Sequence, residues 1–192
     1  MSHKIINLNE SKKYDKIKKI KETEEYQKMN WVIKNVLAVG DMDAASDIPF
    51  LKKHNIKAIV TARGPLSHKR EHYHQHGINV FHIPVADDQM VNIGKYFPVV
   101  FSFVEREIQK GHGVLIHCAA GISRSVTLTL SYLIRKYNMS TKEAIEYLTK
   151  LRPCINPNPG FLNQLVAYEN LLKQHKHTNN THHGHHGHHH KQ

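Results

Sequence analysis

The chain has 192 residues, of which 40% are hydrophobic and 22% charged, enough for one core but not for two full domains. Its formal net charge is +11, from 27 Lys+Arg against 16 Asp+Glu. No apolar run reaches the roughly 18 residues that a membrane span needs, the first 30 residues lack the apolar stretch of a secretory signal, and two cysteines cannot build a disulfide framework. These features point to a reducing compartment, cytoplasmic and/or nuclear. Three zones follow: a lysine-rich arm or helix over residues 1–28, a globular domain over 29–174, and a disordered His-rich tail over 175–192. The arm reads as solvated and basic. It has no aromatic-interleaved stripe on which bases would stack, so no nucleic-acid partner is expected.

Within the domain, Val36–Gly40 reads as a short buried strand stopped by glycine. Asp47 is placed to cap a helix running to His54, with Pro49 in its first turn. Ile56–Val60 is a second strand. Leu66–His76 is polar and helical in pattern, ended by Gly77. Asn79–Ile83 is a third strand, closed by Pro84. Phe97, Phe101, Val104 and Ile108 fall on one face of an amphipathic helix. Val114–His117 is a strand of the kind found in a sheet covered on both faces. A buried helix over 124–137 follows, then a helix opened by the capping box Ser140–Glu143 and running to about Arg152. Pro153–Pro159 is rich in turn formers. A last helix runs from Gly160 to about Gln174, amphipathic through Phe161, Leu165, Tyr168 and Leu172. Alternating strands and helices predict an α/β fold: a central mixed, mainly parallel sheet of about five strands with helices on both faces.

The segment His117-Cys-Ala-Ala-Gly-Ile-Ser-Arg-Ser125 sits between a buried strand and a buried helix. The amides of Ala119, Ala120, Gly121, Ile122, Ser123 and Arg124 can curl into a nest at a helix N-terminus. There, unsatisfied N–H groups and the helix dipole both favour a tetrahedral anion. Gly121 permits a backbone angle that other residues resist, and Arg124 adds a planar fork for two phosphate oxygens. Cys118 at the centre of such a nest has its thiolate stabilised, which makes it a nucleophile toward a bound phosphoryl group.

This His-Cys-x5-Arg-Ser spacing resembles the signature of the protein tyrosine phosphatase superfamily. Cys118–Ser125 is similar to the loop of the small, atypical dual-specificity phosphatases. So is the downstream stretch Arg152-Pro-Cys-Ile-Asn-Pro-Asn-Pro-Gly-Phe-Leu-Asn-Gln-Leu165, and the resemblance extends over about residues 31–172. It implies a protein phosphatase that needs neither metal nor cofactor. Cys118 would be the nucleophile, Arg124 the phosphate clamp, and Asp87, 31 residues before the cysteine, the general acid. Ser125 would assist departure of the sulfur in the second step. It also implies phosphorylated proteins as partners, with mitogen-activated protein kinases as candidates by analogy. The loop positions between Cys118 and Arg124 carry no base, which favours phosphoprotein over phosphoinositide. His117 reads as a structural residue shaping the loop, and Asn156 and Asn158 as braces. Cys154 reads either as a partly buried apolar residue or as a resolving thiol. The His-rich tail reads as a polar tail with some affinity for Zn²⁺ or Ni²⁺. Two other readings stay open: a phosphoprotein-binding scaffold with little turnover, and a phosphatase acting on a non-protein phosphate ester. The sequence leaves the oligomeric state open.

Overall fold

The computed structural model of the chain describes residues 12–13, 15–23, 26–64 and 69–182. Five strands form one sheet: β1 (Met29–Ile33), β2 (Leu37–Gly40), β3 (Ile56–Ala62), β4 (Asn79–Ile83) and β5 (Gly113–His117). Their spatial order is β1-β2-β5-β3-β4. β1 runs antiparallel to β2, and every other pair is parallel. The helices, in chain order, are α1 (Met42–Ser46), α2 (Ile48–Lys53), α3 (Lys69–Gln75), α4 (Phe97–Gln109), α5 (Arg124–Tyr137), α6 (Thr141–Leu151) and α7 (Pro159–His182).

β5 lies in the middle of the sheet, and all five of its residues are buried. Its pleat divides the core. Val114 and Ile116 join Leu37, Val39, Val60, Val126, Leu130 and Phe161 on one side. Leu115 joins Ala38, Ile48, Leu51, Ile59 and Tyr73 on the other. A strand with apolar side chains on both faces must be covered on both, which explains the unbroken apolar run. In an open parallel sheet of this kind, ligands sit in the crevice beyond the carboxyl ends of the strands. β5 ends at His117, directly before Cys118.

α5 follows from that crevice and is buried from Ser125 to Ile134. Its hydroxyls satisfy themselves on the helix backbone: Thr127 Oγ1 donates to Ser123 O at 2.7 Å and Thr129 Oγ1 to Ser125 O at 2.8 Å. Asn138, at φ 55°, ends the helix in the left-handed region.

All four strands placed from sequence form. β1 is an edge strand that the sequence pattern missed, since only Val32 of its five residues is fully buried. α2 is capped as expected, Asp47 Oδ1 accepting from the Phe50 amide at 3.0 Å. The helix expected over 66–76 is seen as α3, residues 65–68 lying outside the described residues. α7 corrects the expected end at Gln174: it continues to His182. The tail expected to be disordered from residue 175 is therefore helical over its first eight residues. Once a helix is nucleated, each further residue adds a backbone hydrogen bond, so even polar residues extend it. Residues 183–192 lie outside the described residues.

Candidate active site

The β5–α5 connection carries the chemistry. Cys118 is buried, and its Sγ lies 3.2 Å from Ser125 Oγ and accepts from the Gly121 amide at 3.2 Å. Burial alone would push the thiol up. Hydrogen bonds from the Ser125 hydroxyl and amide, the charge of Arg124 and the Gly121 amide outweigh it, and the thiol is held below its ordinary value. The surroundings thus favour the anionic form of the sulfur.

Gly121 is fixed by sterics as well as by this bond. Its φ is +66°, and a Cβ there would stand 2.7 Å from Gly40 O and 2.6 Å from Arg152 Nη2. Only glycine combines that backbone angle with that close approach. Two neighbours keep the loop in place. His117 bridges Thr61 Oγ1 at 2.9 Å and Cys118 O at 3.0 Å. The Met42 amide donates to Ala119 O at 3.2 Å, tying the loop to α1.

Arg124 opens α5, and its Nη1 donates to Val85 O at 3.1 Å. Its Nε is buried and has no protein partner. A buried guanidinium donor without an acceptor is costly unless an anion meets it, so the cradle is suited to an oxyanion. Asp87 lies on the loop after β4, half-buried. Its Oδ1 accepts from Asn158 Nδ2 at 3.0 Å, and its Oδ2 from Lys13 Nζ at 2.6 Å. Burial raises the Asp87 carboxyl, but Lys13, Ser123 and Asn158 together bring it below the usual carboxylate range. The adjacent Asp88 is exposed and turns back on its own loop, its Oδ1 accepting from the Met90 amide at 2.8 Å.

These groups line one half-open pocket of about 830 Å³. Cys118, Ala119, Ala120, Ile122, Ser123, Arg124 and Asp87 all contribute to its wall. Gly121 stands behind it and reaches the site through its amide. Of the nine residues singled out from sequence as catalytic or phosphate-binding, seven line this one pocket, and the other two reach the sulfur from behind it, Gly121 through its amide and Ser125 through its hydroxyl.

Two contributions were missed. Arg152 is 1% exposed and fastens the loop from behind: Nε donates to Gly121 O at 2.8 Å, and Nη1 to Gln27 O and Asn30 Oδ1 at 2.7 Å each. The second is the arm. Residues 12–13 and 15–21 are helical, and Lys13, Lys16, Ile17 and Ile20 line the same pocket. The spacing i, i+3, i+4, i+7 was the available signal, since it puts all four on one helix face. Asn156 and Asn158 brace the loop, the Asn156 amide donating to Ile122 O at 2.9 Å and the Asn158 amide to Ser123 Oγ at 3.0 Å.

Residues 37–171 match the family model described as "Dual specificity phosphatase, catalytic domain". The chain belongs to the dual specificity phosphatase family. It is 35% identical over 136 residues to human dual specificity protein phosphatase 7, covering 71% of this chain and 32% of that protein. To dual specificity protein phosphatase 1B of Arabidopsis thaliana it is 34% identical over 137 residues, covering 71% of this chain and 80% of that protein. The chain thus spans about a third of the first relative's length and most of the second's. The solved structure of the human tyrosine phosphatase-like serine/threonine/tyrosine-interacting protein superposes with a TM-score of 0.67 at 32% identity, over 74% of this chain and 96% of that one. The structure of DUSP15 gives a TM-score of 0.67 at 29% identity, over 78% of this chain and 95% of that one. Among the described residues of this dual specificity phosphatase family member, no helix is long and apolar enough to cross a membrane.

Proposed function

We propose that the chain is a cysteine-dependent phosphatase hydrolysing phosphotyrosine and phosphoserine or phosphothreonine in proteins. The observation that carries this reading is the Cys118 sulfur, hydrogen-bonded by Ser125 and Gly121 beneath an arginine whose buried Nε has no partner. In the first step the Cys118 thiolate attacks phosphorus, the bond from phosphorus to the substrate oxygen breaks, and Asp87 gives its proton to that oxygen. The product is a cysteinyl-phosphate. In the second step Asp87 takes a proton from water as the water attacks phosphorus, and the sulfur leaves as thiolate, its charge met by the Ser125 hydroxyl. Arg124 and the amides of Ala119, Ala120, Gly121, Ile122 and Ser123 would hold the phosphoryl oxygens throughout. No metal or cofactor takes part in this scheme. Phosphorylated proteins are the proposed substrates, with mitogen-activated protein kinases as candidate targets.

A second reading, a phosphoprotein-binding scaffold, draws on the likeness to a protein named as phosphatase-like and interacting. Turnover separates the two. Para-nitrophenyl phosphate and phosphopeptides should be hydrolysed in the presence of a chelator. Vanadate, which mimics the five-coordinate transition state, should inhibit, and Cys118→Ser should abolish the reaction while still binding phosphopeptide. Binding without turnover in the unaltered chain would establish the scaffold instead.

A further inference from the structure

The arm brings a cation to the one group that must carry a proton. Asp87 Oδ2 accepts from Lys13 Nζ at 2.6 Å across 74 residues of sequence. Asp87 Oδ1 accepts from Asn158 Nδ2 at 3.0 Å. The Asn158 amide cannot be turned to offer its oxygen, because that oxygen accepts from the Phe161 amide at 2.9 Å. Both carboxylate oxygens therefore face donors, and an ammonium has no lone pair with which to accept. A proton placed on Oδ2 would confront Lys13, and one placed on Oδ1 would confront Asn158.

The other groups around Asp87 do not relieve this. Ser123, on the nest, favours the charged carboxylate as Lys13 does, the Arg124 guanidinium is held on Val85 O two residues away, and Cys118 shares the pocket. Lys16 lines the pocket from the arm, and Asp88 is engaged with its own loop. Such a carboxylate suits the second half of the reaction, which needs a base, and opposes the first, which needs an acid. The two ends of the arm are held differently. Among the described residues, Lys21 pairs with Asp43 at 2.6 Å and with the buried Asp41 at 3.3 Å at one end, while at the other Lys13 forms its ion pair with Asp87 from an exposed position.

We propose that Lys13 is a positioning residue for this reaction: from the N-terminal arm it latches Asp87 as an anion, and substrates whose leaving oxygen needs a proton are turned over only when the Lys13 end of the arm lifts. This rests on the assignment of Asp87 as general acid, so the test carries Asp87→Asn alongside.

In the full chain, Lys13→Met and Lys13→Arg are compared with the unaltered protein. The readout is kcat against pH, on a phosphotyrosine peptide and on para-nitrophenyl phosphate. Lys13 is exposed, so neither change threatens folding. Lys13→Met should raise peptide turnover at mildly alkaline pH by about tenfold, a fraction of the 10²–10⁴ that a general acid supplies. The sign follows from the ion pair: without the cation the carboxyl holds its proton to higher pH, so the alkaline limb moves up. Para-nitrophenyl phosphate, whose leaving group is already acidic, should change little, and Lys13→Arg should behave as the unaltered chain. An unmoved alkaline limb, or an equal fall on both substrates, would overturn the latch and leave the arm as a mere wall. Should Asp87→Asn itself fail to slow the peptide more than the aryl phosphate, the acid assignment falls and the latch with it. A leaving-group-dependent loss in Asp87→Asn with no shift in Lys13→Met overturns the latch alone.

Discussion

At Cys118 two opposing effects meet on one atom. Burial favours the neutral thiol, whereas two contacts from Ser125, one from Gly121 and the charge of Arg124 favour the anion, and the second group wins. Ser125 is the contributor that can be removed without disturbing the loop, because its side chain is spent on the sulfur. Ser125→Ala should raise the thiol's pKa, since a hydrogen bond to the charged form is lost. The acidic limb of the pH profile then moves up, and alkylation of Cys118 by iodoacetate needs higher pH to reach the same rate. A hydrogen bond to a charged group contributes about 1.5–3 kcal/mol, so turnover of para-nitrophenyl phosphate should fall by roughly ten- to a hundredfold. Unchanged alkylation would reduce Ser125 to a first-turn helix residue.

Between elements, the part least legible in the sequence is what holds the nest from outside. The stretch 117–125 announces itself because strand end, anion loop and helix start are contiguous, and Asp87 lies at the end of a readable strand. Arg152 does not, because three of its four acceptors are backbone oxygens, of Gly121, Gln27 and Ala120, and no side-chain pattern marks a carbonyl. β1 escaped for a related reason: an edge strand that is mostly half-buried shows no clean alternation. The arm was read as solvated because its lysines outnumber its two pocket-facing isoleucines, although spacing alone would have put them on one face. Arg152 joins all three: the loop, β1 through Asn30, and the strap before it through Gln27. Arg152→Met keeps much of the volume and removes the donors, leaving buried carbonyls unsatisfied at about 1–3 kcal/mol per group. Denaturant unfolding should show a loss of about 3 kcal/mol or more. Aryl phosphatase activity should also fall, because Gly121 O is no longer held. A stable but inactive variant would mean that Arg152 shapes the loop without supporting the fold.

Across the whole molecule, the two ends of the chain differ in what they do for the domain. The C-terminal end leaves the core by extending a helix: beyond Leu172 the side-chain contacts include Lys173 to Glu169 and Thr178 to the carbonyls of Gln174 and His175 within α7, and Lys176 to Asn138 at the end of α5. The N-terminal end is fastened into buried structure. Tyr26 donates its hydroxyl to Asp41, a wholly buried residue whose other oxygen caps α1 through the amides of Asp43 and Ala44. Lys21 reaches the same carboxylate, and Gln27 O receives Arg152. Removing residues 183–192, which hold none of the proposed catalytic residues, should leave para-nitrophenyl phosphate turnover unchanged. Removing residues 1–27 takes donors from Asp41 and an acceptor from Arg152, and should cost about 3 kcal/mol. The sheet, α5 and every proposed catalytic residue remain, so the shortened chain should fold and still hydrolyse the aryl phosphate. With Lys13 gone, its alkaline limb on a phosphotyrosine peptide should lie at higher pH than that of the full chain. Equal stability of the two forms would show that the arm does not dock in solution. Complete loss of aryl phosphatase activity in the folded, shortened protein would show that the arm supplies part of the binding site itself.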